Sequence, residues 1–300
     1  MTALAKRLLV GVDAPHAPAE GLSWLSDAVT LGDAEGAALT ATLAAAGAWR
    51  PQSWSDAFDF LAMAAELGSN LAQEQLRLLA GGADESWPAM AAGIDLNTWL
   101  RAPPRTPICE APRIRVAPSF LAPEICDWLV ERNRAKVRPA KMVDSYGATP
   151  RFTAQRTNSD YIFDIVGADV VLTLVRARIS AFIKLPTVAF EPPQLLHYRP
   201  GQVLKPHFDF LRREPGAAAE EGDRIMTALI YLNDDYEGGE TDFPRAGVRY
   251  KGPKGGVIAF ANVDPAGRPD PMTLHAGLPT VSGEKWLLSQ WVQDRAIATG

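Results

Sequence analysis

The sequence predicts an α+β protein, with a small α-helical repeat domain followed by a domain of short strands in a sandwich or barrel. The first hundred residues are rich in Ala and Leu and carry an internal repeat. A Pro-rich stretch, "APPRTPICEAP" (102–112), then interrupts the chain. Beyond about Ala189 the sequence breaks into short apolar runs separated by Gly, Pro, Asn and Asp. The expected division is a helical domain at 1–102, a linker at 103–112 and a second domain at 113–300.

The repeat lies at a fixed offset. "WLSDAVTLGDAEGAALTATLA" (24–44) aligns with "FLAMAAELGSNLAQEQLRLLA" (60–80), 36 residues on. Leu25 pairs with Leu61, Ala28 with Ala64, Gly32 with Gly68 and Leu43 with Leu79. Each unit reads as a helix, a turn in which the glycine takes the left-handed position after the helix end, and a second helix. Small residues let such pairs stack closely.

After the linker, "RIRVAPSFLAPEICDWLVERNR" reads as a short strand and then a helix with Pro123 in its first turn. "ADVVLTLVRARISAFI" (168–183) spaces apolar residues by three and four and reads as another amphipathic helix. "PQLLHYR", "IMTALIYL", "GGVIAFA" and "WLLSQWV" read as the main strands. "REPGAAAEEGDR" (213–224) is small and acidic and reads as a surface loop or lid.

Composition narrows the partners. A net charge of −5 with a pI near 5.5 argues against nucleic acid and anionic membrane. No apolar run approaches the roughly 20 residues that span a bilayer. The N-terminal apolar patch is interrupted by Asp13 and Pro15, so the chain reads as cytoplasmic. Cys109 and Cys126 match no metal-binding spacing and read as ordinary thiols.

The chemistry is concentrated in "LKPHFDF" (204–210). A strand presents alternate side chains on one face, so His207 and Asp209 would share a face and Phe208 and Phe210 the other. Such a pair could hold a metal ion or simply form a local ion pair. His275 lies 68 residues beyond His207, and Lys285 ten beyond His275. Two histidines and one carboxylate make a facial set that leaves coordination positions open on an octahedral Fe(II). A lysine held near such a centre is costly unless an anion pairs with it.

From about Arg113 to Val292 the sequence resembles the 2-oxoglutarate/Fe(II) dioxygenases of the prolyl 4-hydroxylase type. "HYRPGQVLKPHFD" follows that family's Y-x-x-G-x-x-x-x-x-H-x-D pattern, "EGGETDFP" its G-G-E-T segment, and "RIMTALIYLND" the strand before it. The distant His275 and the Lys285 ten residues later complete the signature. The N-terminal units resemble Sel1-like, TPR-type repeats.

The first resemblance implies a double-stranded β-helix (jelly roll). It implies Fe(II) on His207, Asp209 and His275, and 2-oxoglutarate held by Lys285, Tyr198 and Thr241. O₂ is the second cosubstrate and ascorbate a candidate reductant. The product set would be succinate, CO₂ and a hydroxylated prime substrate. Arg156, Arg224 and Trp291 match family positions that line the substrate groove. Arg156 and Arg224 also read as surface or structural arginines, and Trp291 as a core residue. His197 reads as structural and His16 as exposed. Two substrate-contacting positions depart from the pattern: Leu204 replaces a common tyrosine, and Gln293 a common histidine. A prolyl or other residue in a peptide or protein is therefore the leading substrate, with a free amino acid or small natural product as the alternative.

Overall fold

The computed structural model describes residues 1–82, 86–142, 149–210 and 222–297. Two compact units divide the chain: residues 1–101 with 163–181, and residues 102–162 with 182–297.

In the first unit the helices are α1 (Thr2–Val10), α2 (Pro18–Thr30), α3 (Ala34–Ala46), α4 (Trp54–Glu66), α5 (Asn70–Ala80), α6 (Trp87–Ala92) and α7 (Leu96–Leu100). The first residues of α2 and α4 lie 36 apart, as do those of α3 and α5. The turns repeat the same local chemistry. Gly32 and Gly68 adopt φ of 78° and 91°, a conformation most side chains disfavour. Their N–H groups donate to Val29 and Ala65, and the next N–H, of Asp33 or Ser69, donates back to Ala28 or Ala64. That is the Schellman pattern, which satisfies carbonyls left over at a helix end. Asp33 and Ser69 then cap the following helix by accepting from Gly36 N and Ala72 N.

Residues 163–181, which the sequence reading groups with the strands, cluster instead with these helices. Gln75, buried on α5, accepts from the backbone N–H groups of Val170 and Val171 at the start of the helix Val170–Ile183. Ile165 and Val166 pack against a cluster that includes Leu9, Leu25 and Leu43. No helix among the described residues is long and apolar enough to cross a membrane.

The second unit is built on strands β1 (Thr106–Cys109), β2 (Ile114–Ala117), β3 (Arg138–Pro139), β4 (Ser159–Ile162), β5 (Gln194–Tyr198), β6 (Leu204–His207) and β7 (Arg224–Tyr231). They are followed by β8 (Glu237–Gly238), β9 (Thr241–Phe243), β10 (Val248–Tyr250), β11 (Val257–Ala261), β12 (His275–Gly277), β13 (Thr280–Ser282) and β14 (Lys285–Gln293). A larger antiparallel sheet runs β1-β2-β11-β7-β14-β5-β4-β3, and a smaller one β10-β9-β12-β6. The two sheets make the jelly roll. Its core takes every second residue of the larger sheet: Ile114 and Val116, Leu196 and Tyr198, Leu229 and Tyr231, Ile258 and Phe260, with Leu287. Phe243 joins them from β9. This period of two sets which polar side chains point inward with the core.

Candidate active site

The smaller sheet brings the metal-ligand candidates together. β6 and β12 are antiparallel neighbours, and His207 pairs in register with His275. Residues 68 apart in sequence thus face each other across one strand pair. β6 ends at His207, so Asp209 sits in a bend just beyond the strand rather than within it. Phe208 and Phe210 turn together, their rings stacked at 4.6 Å.

One ligand atom from each of His207, Asp209 and His275 lies within 4.8 Å of the others. Asp209 Oδ1 is 3.5 Å from His207 Nε2, and Oδ2 is 3.6 Å from His275 Nε2. Each imidazole is oriented from behind. His207 Nδ1 lies 2.9 Å from Lys205 O, and His275 Nδ1 lies 3.0 Å from Thr273 O. A carbonyl only accepts, so in both rings Nδ1 carries a proton and Nε2 is the atom turned to the cluster. Burial, with the nearby His207, lowers His275 to about 4, so it stays neutral. Burial alone would raise the Asp209 carboxyl. His275, His207 and a hydrogen bond from Thr227 outweigh it and hold the carboxyl below the usual range. Two imidazole Nε2 atoms and one carboxylate suit a divalent, oxygen- and nitrogen-seeking cation such as Fe(II).

Lys285 opens β14 and pairs in register with Tyr198 of β5. It is 1% exposed, and its Nζ donates to Gly239 O at 2.6 Å. The rings of Tyr198 and Tyr231 stand 5.1 and 5.7 Å from that nitrogen. Among the described residues no carboxylate lies within ion-pair distance of it. Burial brings the ammonium down to about 7, with Lys251 adding to the effect and Glu240 opposing it. An unpaired buried ammonium costs several kcal/mol, which an anionic ligand would offset. Gly238 and Gly239 both adopt φ of 68°, and that turn aims the Gly239 carbonyl at Lys285. Thr241, 2% exposed on β9, bonds through Oγ1 to the Tyr231 hydroxyl at 2.8 Å. Tyr231 thus links the two residues: its ring lies 5.7 Å from Lys285 Nζ and its hydroxyl bonds Thr241.

The remaining predicted residues fall into two groups. Arg224 and Trp291 come together beside the cluster: the guanidinium carbon lies 3.6 Å from the centre of a Trp291 ring, and Nη1 reaches Asp209 O at 3.4 Å. Glu191 grips Arg224 through Nε and Nη2 at 2.7 and 2.8 Å, and Gln293 donates to the same Glu191. Arg156 is held by Asp160, Asn158, Gln194 and the Lys141 carbonyl, which take up four of its five N–H donors. His197 faces away from Tyr198 and stacks on Trp286 at 4.0 Å. His16 is exposed. Of the stretch 213–224, residues 213–221 lie outside the described residues.

Sequence reasoning missed Tyr231, Thr227 and Glu191. Tyr231 and Thr227 were legible as positions two residues to either side of Leu229 on an inward face. Glu191 lies outside any strand and gave no periodic signal.

A family model described as the 2OG-Fe(II) oxygenase superfamily matches residues 193–293. Prolyl 4-hydroxylase 1 of Arabidopsis thaliana is 30% identical over 202 residues, covering 63% of this chain and 71% of that protein. Prolyl 4-hydroxylase 5 of the same plant is 32% identical over 199 residues, covering 60% and 68%. The crystal structure of the viral collagen prolyl hydroxylase vCPH from Paramecium Bursaria Chlorella virus-1, in its 2OG complex, superposes with a TM-score of 0.50 at 28% identity, covering 63% of this chain and 99% of that one. The chain belongs to the 2OG-Fe(II) oxygenase superfamily, and its oxygenase domain is of the prolyl 4-hydroxylase type. It is a dioxygenase that depends on Fe(II) and 2-oxoglutarate and uses O₂.

Proposed function

We propose that the protein hydroxylates a prolyl residue within a peptide or protein, releasing succinate and CO₂. The observation that carries the oxygenase site is the convergence of His207, Asp209 and His275 to within 4.8 Å. The relatives named above, prolyl 4-hydroxylases and a collagen prolyl hydroxylase, support the peptidyl substrate.

In this reading His207 and His275 offer their Nε2 atoms and Asp209 a carboxylate oxygen to Fe(II). The bound iron supplies oxygen activation coupled to decarboxylation of the keto acid. Lys285 pairs with the far carboxylate of 2-oxoglutarate, and the Tyr198 and Thr241 hydroxyls orient it. Tyr231 fixes the Thr241 hydroxyl from behind. The apolar jelly-roll core around them keeps bulk water away, which strengthens the lysine–carboxylate attraction. Arg224 and Trp291 present a cationic and an aromatic surface to the prime substrate, with Glu191 and Gln293 setting the angle of the guanidinium. Arg156 acts by shaping the groove wall rather than by reaching substrate. Ascorbate serves as reductant.

The helical residues 1–102 form a Sel1-like, TPR-type repeat unit that carries a peptide-binding surface, residues 103–112 lead from it towards the oxygenase, and the protein works in the cytoplasm. Leu204 and Gln293, which depart from the family pattern given above, favour a second reading in which a free amino acid or small natural product is the substrate. Incubation with Fe(II), 2-oxoglutarate and either a proline-rich peptide or free proline, followed by mass spectrometry, separates the two. A 16 Da gain on a peptidyl proline supports the first. A gain on free proline alone supports the second, and no succinate in either arm contradicts both.

A further inference from the structure

The metal cluster is tied to the larger sheet through a chain of buried polar side chains. Thr227, within β7, is fully buried, and its Oγ1 donates to Asp209 Oδ2 at 2.6 Å. Asn262, the residue after β11, is also fully buried, and its Nδ2 donates to the same Oγ1 at 3.0 Å.

The proton directions follow from valence. A carboxylate that ligates a cation only accepts, so the Thr227 hydroxyl must give its single proton to Oδ2. Oγ1 can then only accept, so Asn262 must turn its NH₂ towards it. The carboxamide oxygen of Asn262 is left buried and, among the described residues, without a hydrogen-bond partner. A buried acceptor without a donor is destabilising. A small apolar side chain at this position would avoid that penalty but would leave the Thr227 hydroxyl without the donor that Asn262 supplies.

The main chain of Asn262 ties it to the second histidine. Its N–H donates to Ile225 O, and its carbonyl accepts from Asp270 N, both at 2.9 Å. Asp270 in turn caps the short turn Pro271–Thr273, accepting from Met272 N and, through its carbonyl, from Thr273 N. The Thr273 carbonyl is the acceptor that orients His275 Nδ1. One residue therefore reaches Asp209 through its side chain and His275 through its backbone.

We infer that Asn262 is a positioning residue of the metal centre: by fixing the Thr227 hydroxyl on Asp209 Oδ2, it presents Oδ1 to the cation in one orientation. The inference rests on the assignment of His207, Asp209 and His275 as the ligand set.

The test uses Mn(II) binding to the full chain, measured by titration without 2-oxoglutarate or turnover. Asn262→Ala and Thr227→Val each weaken Mn(II) binding by about 10- to 100-fold, the range for lost outer-shell partners of metal ligands. Thr227→Ser, which keeps the hydroxyl, binds within about threefold of wild type. Because Asn262 acts through Thr227, the double variant Asn262→Ala/Thr227→Val binds no more weakly than Thr227→Val alone. Folded Asn262→Ala protein that binds Mn(II) like wild type overturns the inference, as does an additive double variant. If Asn262→Ala does not fold, wild-type Mn(II) affinity in Thr227→Val overturns it equally. His207→Ala serves as the control for the ligand assignment. Undiminished Mn(II) binding by that variant shows that the assignment, rather than the relay, has failed.

Discussion

Lys285 and Tyr198 stand directly opposite each other on neighbouring antiparallel strands, the ammonium 5.1 Å from the centre of the phenol ring. The strand pairing places a buried cation against an aromatic face, with no carboxylate among the described residues within ion-pair distance. Replacing Lys285 by Ala is expected to raise the Kd for 2-oxoglutarate by about 30- to 5000-fold, the range for truncating one member of a buried charge pair. Mn(II) affinity should be unchanged. Calorimetric titration with each ligand reads the two effects separately.

The same lysine sets a pH dependence. In the free protein burial lowers it to about 7, whereas in the unfolded chain it keeps its ordinary value of 10.5. Only the ammonium form attracts the dicarboxylate. The apparent Kd for 2-oxoglutarate should therefore rise about tenfold per pH unit above 7. Between 7 and 10.5 the unfolded chain binds the extra proton, so the ligand-free protein gains stability from this group as pH rises. The stabilising shift in Tm on adding 2-oxoglutarate should shrink over the same range. Thermal melts with and without 2-oxoglutarate, from pH 6.5 to 9, check both signs.

Gly239 sits at φ 68°, and a Cβ there would come within 3.0 Å of the Tyr236 ring and 3.2 Å of Lys285 Cδ. Gly239→Ala is thus strained twice, by backbone and by contact. A loss of about 1–3 kcal/mol in stability is expected, together with weaker 2-oxoglutarate binding because the carbonyl that holds Lys285 Nζ moves. Denaturant unfolding and calorimetry on the same sample measure the pair. Unchanged 2-oxoglutarate affinity in a destabilised variant would separate the turn from the cosubstrate pocket.

Arg224→Ala removes the guanidinium that lies on Trp291 and leaves Glu191 without its bidentate partner. The KM for a peptide substrate should rise about 10- to 100-fold, with the KM for 2-oxoglutarate little changed. Steady-state kinetics with each substrate varied in turn provides the comparison.

The sequence made most of the oxygenase domain legible because its strands are short apolar runs bounded by Gly, Pro, Asn and Asp, and side chains alternate between the two faces of each. Tyr198, Tyr231 and Thr227 fall inward on that count alone, and the spacing from His207 through Asp209 and His275 to Lys285 survives in three dimensions as one strand pair and one strand start. Asp209 was misplaced on the strand, since nothing in "HFDF" marks the bend after His207. The grouping of residues 163–181 with the N-terminal helices was also hidden. It depends on Gln75 reaching the backbone at Val170, a contact across 95 residues that no local pattern encodes. Asn262 and Glu191 escaped notice for a related reason: each lies just outside a regular element and acts only through residues distant in sequence.

The most direct test is anaerobic titration of Fe(II) into the full chain and its His207→Ala and His275→Ala variants, followed by admission of air with 2-oxoglutarate and measurement of succinate. Wild type should bind one iron per chain and form succinate, and neither variant should do either above background. Iron binding at wild-type affinity in both variants, or iron-loaded wild type that forms no succinate, would contradict the assignment of these side chains to a single ferrous site.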